Sequence, residues 1–342
     1  MSNQPPIEVP QGAIRLNTDS QKLEFFAQDR WHEMATNEEA TGLGGRAFRV
    51  AGPSTIIETF NIATEGNGID TGFDLSVSIG TAAHAGSRTR AVIAGAGGGD
   101  NRTLQHFNMA SLSNSVDFGD TTRGVYRCDA HSDNTRMVIA GQASGNDNTM
   151  ELVIIPSLGN AVDYGDLHTA MELPKACGSR TRALFGGGDD NGDGNPVNNN
   201  IQFCTIATTG NALDFGDLTA VKQGCSGLSN SVRGCFIMGN IGYVAGNTQV
   251  NNIDFVQIAT TGNAQDFGDS TTPQTTQSAG TASNSTRGLF FGGYSSPANP
   301  SNSTPHIHSI NINTKGNSVN FGDLTVASGG CGGHCDTHGG VI

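Results

Sequence analysis

Five copies of one short phrase, D-F-G-D or a close variant, recur along the chain. They are DFGDT at 117–121, DYGDL at 163–167, DFGDLT at 214–219, DFGDS at 266–270 and NFGDLT at 320–325. A catalytic D-F-G triplet is needed once and is accompanied by other kinase motifs, which this chain lacks. Recurrence at a near-constant distance indicates instead a repeated supersecondary unit.

The final Asp of the phrase marks each unit, and successive marks are 46 to 54 residues apart. A degraded copy, GNGIDTGFD, ends at Asp74 and brings the number of units to six. Each unit also contains a T-R or V-R pair followed by an apolar run that ends in Gly, and then a second apolar run such as IQFCTIAT at 201–208. These runs are short, rich in Val, Ile, Phe and Thr, and bounded by Gly, Asn, Asp and Ser, which is typical of strands.

Four strands in about 50 residues is the period of a kelch-type propeller blade. The chain enters the pattern at RAFRVAG (46–52) with a second-strand copy, and after Asp323 it ends with a first-strand copy. The sequence therefore predicts an all-β, six-bladed kelch-like β-propeller over residues 41–342, closed by the C-terminal strand. The tail THGGVI also aligns with the start of a second strand, so a partial seventh unit stays open.

Four residue types recur in register with the phrase: an aromatic residue, Gly, Asp and Arg. We expect the aromatic residue to pack between adjacent sheets, the Gly to permit a tight turn, and the Asp to cap that turn through its side chain. A ring of Arg–Asp pairs is a hypothesis, and two unrelated sets of surface residues are the alternative. The recurring residues are Phe118, Tyr164, Phe215, Phe267 and Phe321; Asp120, Asp166, Asp217, Asp269 and Asp323; and Arg90, Arg136, Arg182, Arg233 and Arg287.

Residues 1–40 lie outside the repeat and are predicted to form an N-terminal arm with a docking hairpin. Apolar residues alternate on either side of TDSQK (18–22), which predicts a two-stranded hairpin with one apolar face. A hairpin of this size is not stable alone, so it must dock on the propeller or on another subunit. The apolar residues assigned to this attachment face are Ile14, Leu16, Leu23, Phe25 and Trp31.

Composition narrows the function classes. The 342 residues include 18 Lys+Arg and 31 Asp+Glu, a formal net charge of −13, which disfavours nucleic acid and anionic membranes as partners. Seven Cys in no framework spacing favour a reducing folding compartment. The N-terminus does not resemble a signal peptide, and no apolar stretch is long enough for a membrane span. We therefore expect assembly in the cytoplasm without membrane insertion.

Residues 12–34 resemble a short module of tailed-phage virion proteins, G-x-I-R-x-N-T-D-x-x-x-x-L-E-F-x-x-x-x-x-W. The six units, with phrases such as GNAxDFGDLT and S-x-T-R-G-L-F-x-G-G, are similar to propeller repeats of phage and cyanophage structural proteins. The resemblance implies a virion appendage present in multiple copies: a tail-fibre or adhesin part for host attachment, or a capsid decoration knob. It also implies that the N-terminal module attaches to other virion proteins.

Two clusters resemble metal sites. Asp189, Asn191, Asp193 and Gly194 fit the opening of a calcium loop, although its twelfth position is Asn200 rather than Glu, and a Gly/Asn/Asp-rich turn without an ion is the alternative. CGGHCDTH contains Cys331, His334, Cys335 and His338, but four ligands on one strand cannot all point the same way because side chains alternate. We interpret these residues, with His84, His131, Cys177 and Cys225, as lying on innermost strands. No other cofactor is predicted.

The loops between the second and third strands are long and variable, at 187–200, 240–251 and 293–305. Variable loops on a rigid scaffold are where recognition usually lies. The candidates for binding glycans or polar protein surfaces on the host are Asn198, Tyr243 and Tyr294, and solvated loops without a partner are the alternative. No catalytic set has a defensible spacing, so no enzyme is predicted. A cytoplasmic kelch-type interaction module and a propeller enzyme acting on glycans stay as alternatives.

Overall fold

The computed structural model describes residues 9–17, 22–33, 45–50, 52, 54–78, 80, 83–95, 101–141, 147–189, 197–241, 249–271, 279–294 and 303–340. Strands dominate these residues, and the one helical segment among them is a 3₁₀ turn at His338–Gly340. Within the same residues, no helix is both long and apolar enough to cross a membrane. Contacts divide the chain into two compact units, Met1–Thr41 and Gly42–Ile342.

The N-terminal unit is a three-stranded antiparallel sheet rather than the predicted hairpin. Its strands are β1 (Ile14–Asn17), β2 (Lys22–Ala27) and β3 (Arg30–Glu33), in the order β1-β2-β3. Phe25 pairs with Ile14 on one side and His32 on the other, whereas Trp31 pairs with Phe26. Because adjacent residues of a strand point to opposite faces, Trp31 lies on the other face from Phe25. The prediction of a single apolar face that includes Trp31 was wrong.

The second unit contains six four-stranded antiparallel sheets, called here the first to sixth repeat sheets in chain order. The first repeat sheet has β4 (Arg46–Val50), β5 (Ile56–Asn61) and β6 (Ile69–Asp74) with the C-terminal β27 (Gly332–Cys335); the second has β7 (Ala83–Gly86), β8 (Arg90–Ala94), β9 (Thr103–Asn108) and β10 (Val116–Asp120); the third has β11 (Asp129–Ser132), β12 (Arg136–Ala140), β13 (Thr149–Ile154) and β14 (Val162–Asp166). The fourth has β15 (Lys175–Gly178), β16 (Arg182–Gly186), β17 (Asn200–Thr205) and β18 (Leu213–Asp217); the fifth has β19 (Ser226–Ser229), β20 (Arg233–Asn240), β21 (Gln249–Gln257) and β22 (Gln265–Asp269); the sixth has β23 (Gly280–Ser283), β24 (Arg287–Phe291), β25 (His306–Asn311) and β26 (Val319–Asp323).

The all-β, propeller-like architecture expected from the repeat is therefore present, and each repeat sheet contains the four predicted strands in order. The predicted use of the C-terminal stretch is also confirmed, because β27 pairs with β4 through Gly332↔Val50 and Cys335↔Ala47. The tail does not go on directly into another strand, since His338–Gly340 form the 3₁₀ turn. The described residues after β27 contain no further strand, and residues 341–342 lie outside the described part.

The burial of both sheet faces explains why apolar and polar residues do not alternate along the second strands of the repeat. The last four residues of each second strand are buried, as in β12, although neighbours along a strand face opposite sides. A sheet that is covered on both faces reads as a continuous apolar run, whereas a half-exposed sheet alternates. Only the aromatic residue of the phrase is fully buried in fourth strands such as β18.

Six apolar clusters fill the spaces between the sheets, and each combines residues of two successive sheets. One contains Phe118 of the second repeat sheet with Ile155 and Ala161 of the third. Another contains Phe321 of the sixth repeat sheet with Phe60 and Ile62 of the first. The aromatic residue of the phrase thus packs between adjacent sheets, as predicted.

The glycine of the phrase has a different role from the predicted one. Gly119 lies inside β10, at a bulge between Asp117 and Gly119, with φ +146°. A Cβ atom there would lie 2.5 Å from the carbonyl oxygen of Gly159 in the next sheet. Close approach of neighbouring backbone, and not a tight turn, requires glycine at this position. Three more copies have the same geometry, namely Gly165, Gly216 and Gly268.

Candidate functional site

The phrase G-N-A-x-D-F-G-D works as a clamp between successive sheets. The backbone N–H of Asp120 donates to Asn160 Oδ1 at 3.0 Å, while the N–H groups of Gly159 and Ala161 donate to the carbonyls of Phe118 and Asp120. The fourth strand is the outer strand of its sheet, so these bonds satisfy backbone groups that would otherwise form an exposed edge. The same Asn bond, at 3.0–3.1 Å, is made by Asn67, Asn114, Asn160, Asn211, Asn263 and Asn317.

One of these clamps joins the two ends of the repeat. The N–H of Asp323 in the sixth repeat sheet donates to Asn67 Oδ1 of the first repeat sheet at 3.0 Å. Gly66 and Gly68 donate their N–H groups to the carbonyls of Phe321 and Asp323. The contact between the last and first sheets thus repeats the contact within the series.

The recurring arginines bond to backbone carbonyls and not to the recurring aspartates. Arg233 Nη1 donates to the carbonyl of Ile312 in the next sheet at 3.0 Å, and its guanidinium carbon lies 5.1 Å from the ring centre of Phe255. Among the described residues no ion pair joins a recurring Arg to a recurring Asp, so the Arg–Asp hypothesis was wrong. Equivalent bonds to carbonyls are made by Arg46, Arg90, Arg136, Arg182 and Arg287.

The recurring aspartates contribute mainly through their backbone, as the clamp shows. Where their side-chain bonds are described, they cross the sheet rather than cap a turn. Asp323 Oδ1 lies 2.8 Å from His306 Nδ1, and Asp74 Oδ1 accepts from Thr55 Oγ1 at 3.0 Å. For these two units the predicted turn cap was wrong.

A second inter-sheet contact was missed at the level of the sequence. One polar residue occupies the same position of every third strand, and it binds a Ser or Thr that follows the phrase of the preceding unit. That Ser or Thr comes two residues after the final Asp in five units and three residues after it in the case of Gln202, which bonds to the backbone of Thr169. Asp254, for example, accepts from Thr219 Oγ1 at 2.6 Å. The signal is visible as one polar residue in each apolar third strand: Glu58, Gln105, Glu151, Gln202, Asp254 and His308. The bond explains the Thr that ends DFGDLT.

Two of these polar residues form completely buried ion pairs. Lys222 Nζ lies 2.9 Å from Asp254 Oδ2, and Arg49 Nη1 lies 3.1 Å from Glu58 Oε2, with no side-chain exposure in either pair. Burying charges is costly unless each charge is paired and hydrogen-bonded. Asp254 meets this condition because Thr219 and Asn252 also donate to it.

The first strands of the six repeat sheets surround a small cavity of about 80 Å³. His84, His131 and His334 line it, and the C-terminal turn brings in His338. Burial lowers the pKa of His131 and of His334 to about 4 and that of His338 well below its ordinary value. All of these imidazoles are therefore neutral at pH 7, and their environment stabilises the neutral form. As interpreted from the sequence, His84, His131 and Cys177 lie on first strands at the centre, and Cys225 lies next to one.

The four residues of CGGHCDTH point to different partners. Cys331 Sγ and Cys335 Sγ contact the carbonyls of Phe291 and Ser283, at 3.3 and 2.9 Å. His334 Nε2 lies 3.0 Å from the carbonyl of Ser87, and His338 Nε2 lies 2.8 Å from Ser132 Oγ. The described residues contain no group of three or more His, Cys, Asp or Glu arranged to hold a metal ion.

The calcium candidate lies largely outside the described residues, which include Asp189 but neither Asn191 nor Asp193. Asp189 is buried, and its backbone exchanges hydrogen bonds with Glu172 at 2.9 and 3.0 Å. Its backbone therefore belongs to the base of the loop, where it pairs with the segment that leads into the fourth repeat sheet.

The three loop candidates differ in what surrounds them. Asn198 supports the base of its loop, since its N–H donates to the carbonyl of Gly188 and its Oδ1 accepts from the N–H of Asn200. Tyr294 is half-buried against Gly329, and burial raises its pKa. Tyr243 lies outside the described residues. The described flanks of these loops thus anchor them to the sheets.

On the N-terminal sheet, the exposed apolar side chains are Ile14 and Leu16, at 62% and 60%. They share a face with Phe25, whose ring stacks on His32 at 5.3 Å. Leu23 pairs with Leu16 in the strand register.

Trp31 belongs to the opposite face of that sheet. The Arg15 guanidinium lies 4.1 Å from the Trp31 ring centre and pairs with Glu24 at 2.7 Å. Four of the five attachment candidates are thus placed on one face by the register, and the fifth is not.

No protein-family model and no curated protein sequence matches the chain.

Proposed function

We propose that the six repeat sheets close into a six-bladed, kelch-like propeller, and that the protein is a non-enzymatic appendage of a phage virion. The N-terminal module attaches it to other virion proteins. The propeller presents its second-to-third-strand loops to a host-surface glycan or protein. Tail-fibre adhesin and capsid decoration are the two positions that this proposal allows.

Closure of the ring is supported by four kinds of contact that run from the sixth repeat sheet to the first. β27 completes the first sheet, Asn67 clamps Asp323, Arg287 Nη1 donates to the carbonyl of Ile62, and Glu58 accepts from Thr325. First strands also contact one another in sequence, and β27 contacts both β23 and β7. A closed ring leaves no sheet face at either end of the series uncovered.

The observation that carries the attachment proposal is the exposure of Ile14 and Leu16 on one face of a compact N-terminal unit. The recurring aromatic, Arg and Asn side chains of the repeat are already occupied by contacts between sheets. Repeated polar chemistry therefore holds the scaffold together, whereas the apolar face of the N-terminal sheet is available for a partner. The resemblance of residues 12–34 to a virion attachment module supports the same assignment.

The experiment compares the double variant Ile14→Ser/Leu16→Ser with Val319→Ser in virions of the phage that encodes the chain. Val319 is a matched control because it is a 55% exposed aliphatic residue on an outer strand of the repeat. We expect the double variant to be absent from purified particles and Val319→Ser to be incorporated normally. Cryo-electron microscopy of particles with the native chain then shows a ring-shaped density at the tail or on the capsid.

Native particles that lack such density would overturn the virion proposal and favour the kelch-type interaction module. Normal incorporation of the double variant would overturn the role of the N-terminal face. A glycan-active enzyme would be indicated by the release of reducing ends from host polysaccharide.

A further inference from the structure

An amine, an amide and a carboxylate meet beside the third strand of the fifth repeat sheet. Lys222 lies in the linker between β18 and β19, and Asn252 and Asp254 lie in β21. Lys222 Nζ is 2.9 Å from Asp254 Oδ2 and donates to Asn252 Oδ1 at 3.2 Å. Asn252 Nδ2 in turn donates to Asp254 Oδ1 at 3.1 Å. Each of the three side chains therefore contacts the other two.

The hydrogen bonds fix the orientation of the Asn252 amide. An ammonium group only donates and an ionised carboxylate only accepts, so the amide oxygen faces Lys222 and the amide nitrogen faces Asp254. Thr219 Oγ1 also accepts from Asn252 Nδ2, at 3.2 Å. Because Lys222 Nζ contacts the amide oxygen, it is held beside the carbonyl carbon, the atom that an amine would attack. Fixing two reacting groups in contact removes much of the barrier to their reaction.

The pair formed by Lys222 and Asp254 is enclosed, with no exposure of either side chain. Two buried charges are costly to keep, and transfer of one proton from Nζ to the carboxylate converts them into a neutral amine and a neutral acid. The neutral amine is the form of lysine that acts as a nucleophile. The backbone of Lys222 is also fixed, since its N–H donates to the carbonyl of Asn198 and its own carbonyl accepts from the N–H of Gly188, at 3.2 and 2.9 Å.

The lysine is not part of the repeat. It comes five residues after the final Asp of the fourth phrase, and the residues at this position after the other phrases are Ile79, Val125, Met171, Gln274 and Ser328. The place of Asn252 in β21 is occupied in β17 by Asn200, but the neighbouring polar residue there is Gln202, and no lysine stands at the equivalent position of that linker. The contacts that join the other sheets are thus made without this combination.

We propose that Lys222 and Asn252 react to form an intramolecular isopeptide bond, with Asp254 as the proton carrier. Lys222 Nζ attacks Cγ of Asn252, the Nζ–Cγ bond forms and the Cγ–Nδ2 bond breaks. Asp254 takes two protons in turn from Nζ and passes both to the departing nitrogen, which leaves as ammonium and carries away the positive charge of the lysine. The carboxylate is restored, and the reaction needs no oxidant or co-reactant.

The position of Asp254 suits this role, because one of its oxygens contacts the attacking nitrogen and the other contacts the leaving nitrogen. Both contacts are within the reach of general acid–base catalysis. The product joins the linker before β19 to the third strand of the same sheet. Such a link restricts the unfolded chain and so favours the folded one. The proposal is independent of what the protein attaches to and of what its loops bind.

The test is peptide mass spectrometry of the full-length native chain after denaturation and digestion with trypsin. Trypsin cleaves after Lys and Arg, so an unreacted chain gives the separate peptides 183–222, 223–233 and 234–287. A reacted chain resists cleavage after Lys222 and gives 183–233 joined to 234–287, lighter than the two peptides together by one ammonia. We expect the joined peptide in most native chains, and fragmentation spectra then place the link at Lys222 and Asn252.

Two variants assign the roles, and each has a matched control in another unit. Asn252→Ala removes the amide, and Asn200→Ala is its control, because both residues pair with the final Asp of a phrase. Asp254→Ala removes the proton carrier, and Glu151→Ala is its control, because both carboxylates accept from a Thr that follows a phrase. We expect the joined peptide to be absent in Asn252→Ala and reduced by about 100-fold or more in Asp254→Ala, with no change in the controls.

Complete cleavage after Lys222 in the native chain, without a joined peptide, would overturn the proposal, and this measurement depends on no variant. A loss of ammonia without a joined peptide would also overturn it, because it would indicate a succinimide at an Asn instead. A joined peptide that persists in Asn252→Ala would exclude Asn252 as the group attacked. An undiminished joined peptide in Asp254→Ala would exclude Asp254 as the proton carrier. Far-UV circular dichroism spectra that match the native one establish that the variants compared are folded.

Discussion

The N-terminal sheet and the repeat sheets are both antiparallel, but they differ in how many faces they bury. Val92 and Ile93 are neighbours in β8, so they point to opposite faces, and both are fully buried. In the N-terminal sheet Ile14 and Leu16 share one face and are more than half exposed. A sheet with neighbours on both sides gains stability from the burial of both faces, whereas Ile14 and Leu16 leave apolar surface of the N-terminal sheet exposed. The comparison teaches that the apolar side chains of the repeat sheets contribute to stability, whereas Ile14 and Leu16 of the N-terminal sheet stay exposed.

The largest effect expected in the repeat follows from removing half of a buried ion pair. Asp254→Ala leaves the charge of Lys222 buried without its partner, and we expect a loss of about 3–5 kcal/mol in the free energy of unfolding. Urea unfolding followed by far-UV circular dichroism measures it. The fluorescence of Trp31, the one Trp of the chain, is unsuitable because it reports on the N-terminal sheet.

The control for that prediction is His306→Ala, which removes the pairing of two half-exposed side chains, His306 and Asp323. Such surface pairs are worth at most about 1 kcal/mol. Equal losses in Asp254→Ala and His306→Ala would contradict the view that the stability of the repeat depends on enclosure.

Acid should act on the repeat through its buried histidines. Burial lowers the pKa of His131 and His334 to about 4, so between pH ~6.5 and ~4 the unfolded chain binds protons that the folded chain does not. The free energy of unfolding is therefore highest above pH ~6.5 and falls with pH through this window, by about 1.4 kcal/mol per pH unit for each histidine.

The variant that checks this is His131→Gln, because Gln can still donate to the carbonyl of Ser179, which His131 Nε2 reaches at 3.1 Å. We expect the slope of stability against pH to decrease by the share of one histidine. The exposed His168→Gln is the control. A slope that is the same in both variants and the native chain would exclude His131 as a source of acid sensitivity.

The smallest effect is expected from removing a single Asn hydrogen bond between two sheets. It tests whether the contact between the sixth and first repeat sheets stabilises the protein as much as the contacts within the series. Asn211→Ala removes the side-chain oxygen that accepts from the N–H of Asp166, and we expect the free energy of unfolding to fall by about 1 kcal/mol. Asn67→Ala removes the same bond between the sixth and first repeat sheets and should cost the same. An open array would show no loss for Asn67→Ala, so chemical denaturation of the two variants decides between closed and open arrangements.

The repeat was predictable from the sequence because its apolar strand segments and its aromatic residue recur at a near-constant spacing, and the C-terminal strand continues the same pattern. The partners of the arginines were not predictable, since they are backbone carbonyls, such as that of Ile312, which any residue could supply. Gly119 was misassigned for the same reason: its neighbour is the backbone of Gly159, and only the folded chain brings the two together.

Prediction of the N-terminal sheet failed at its third strand. The segment RWHE is short and mostly polar, and β2 turns into β3 through Gln28 and Asp29, two residues in left-handed conformation without a Gly to signal the turn.

The pairing of β27 with β4 has a consequence for synthesis. Arg46 and its partner Asp336 are 290 positions apart, so a ribosome that adds 5–20 residues per second needs roughly 15–60 s to make the second after the first. During this time the first repeat sheet has three strands and an open edge. Any premature stop before residue 332 would release a chain with that edge permanently unpaired, a natural substrate for chaperones or proteases.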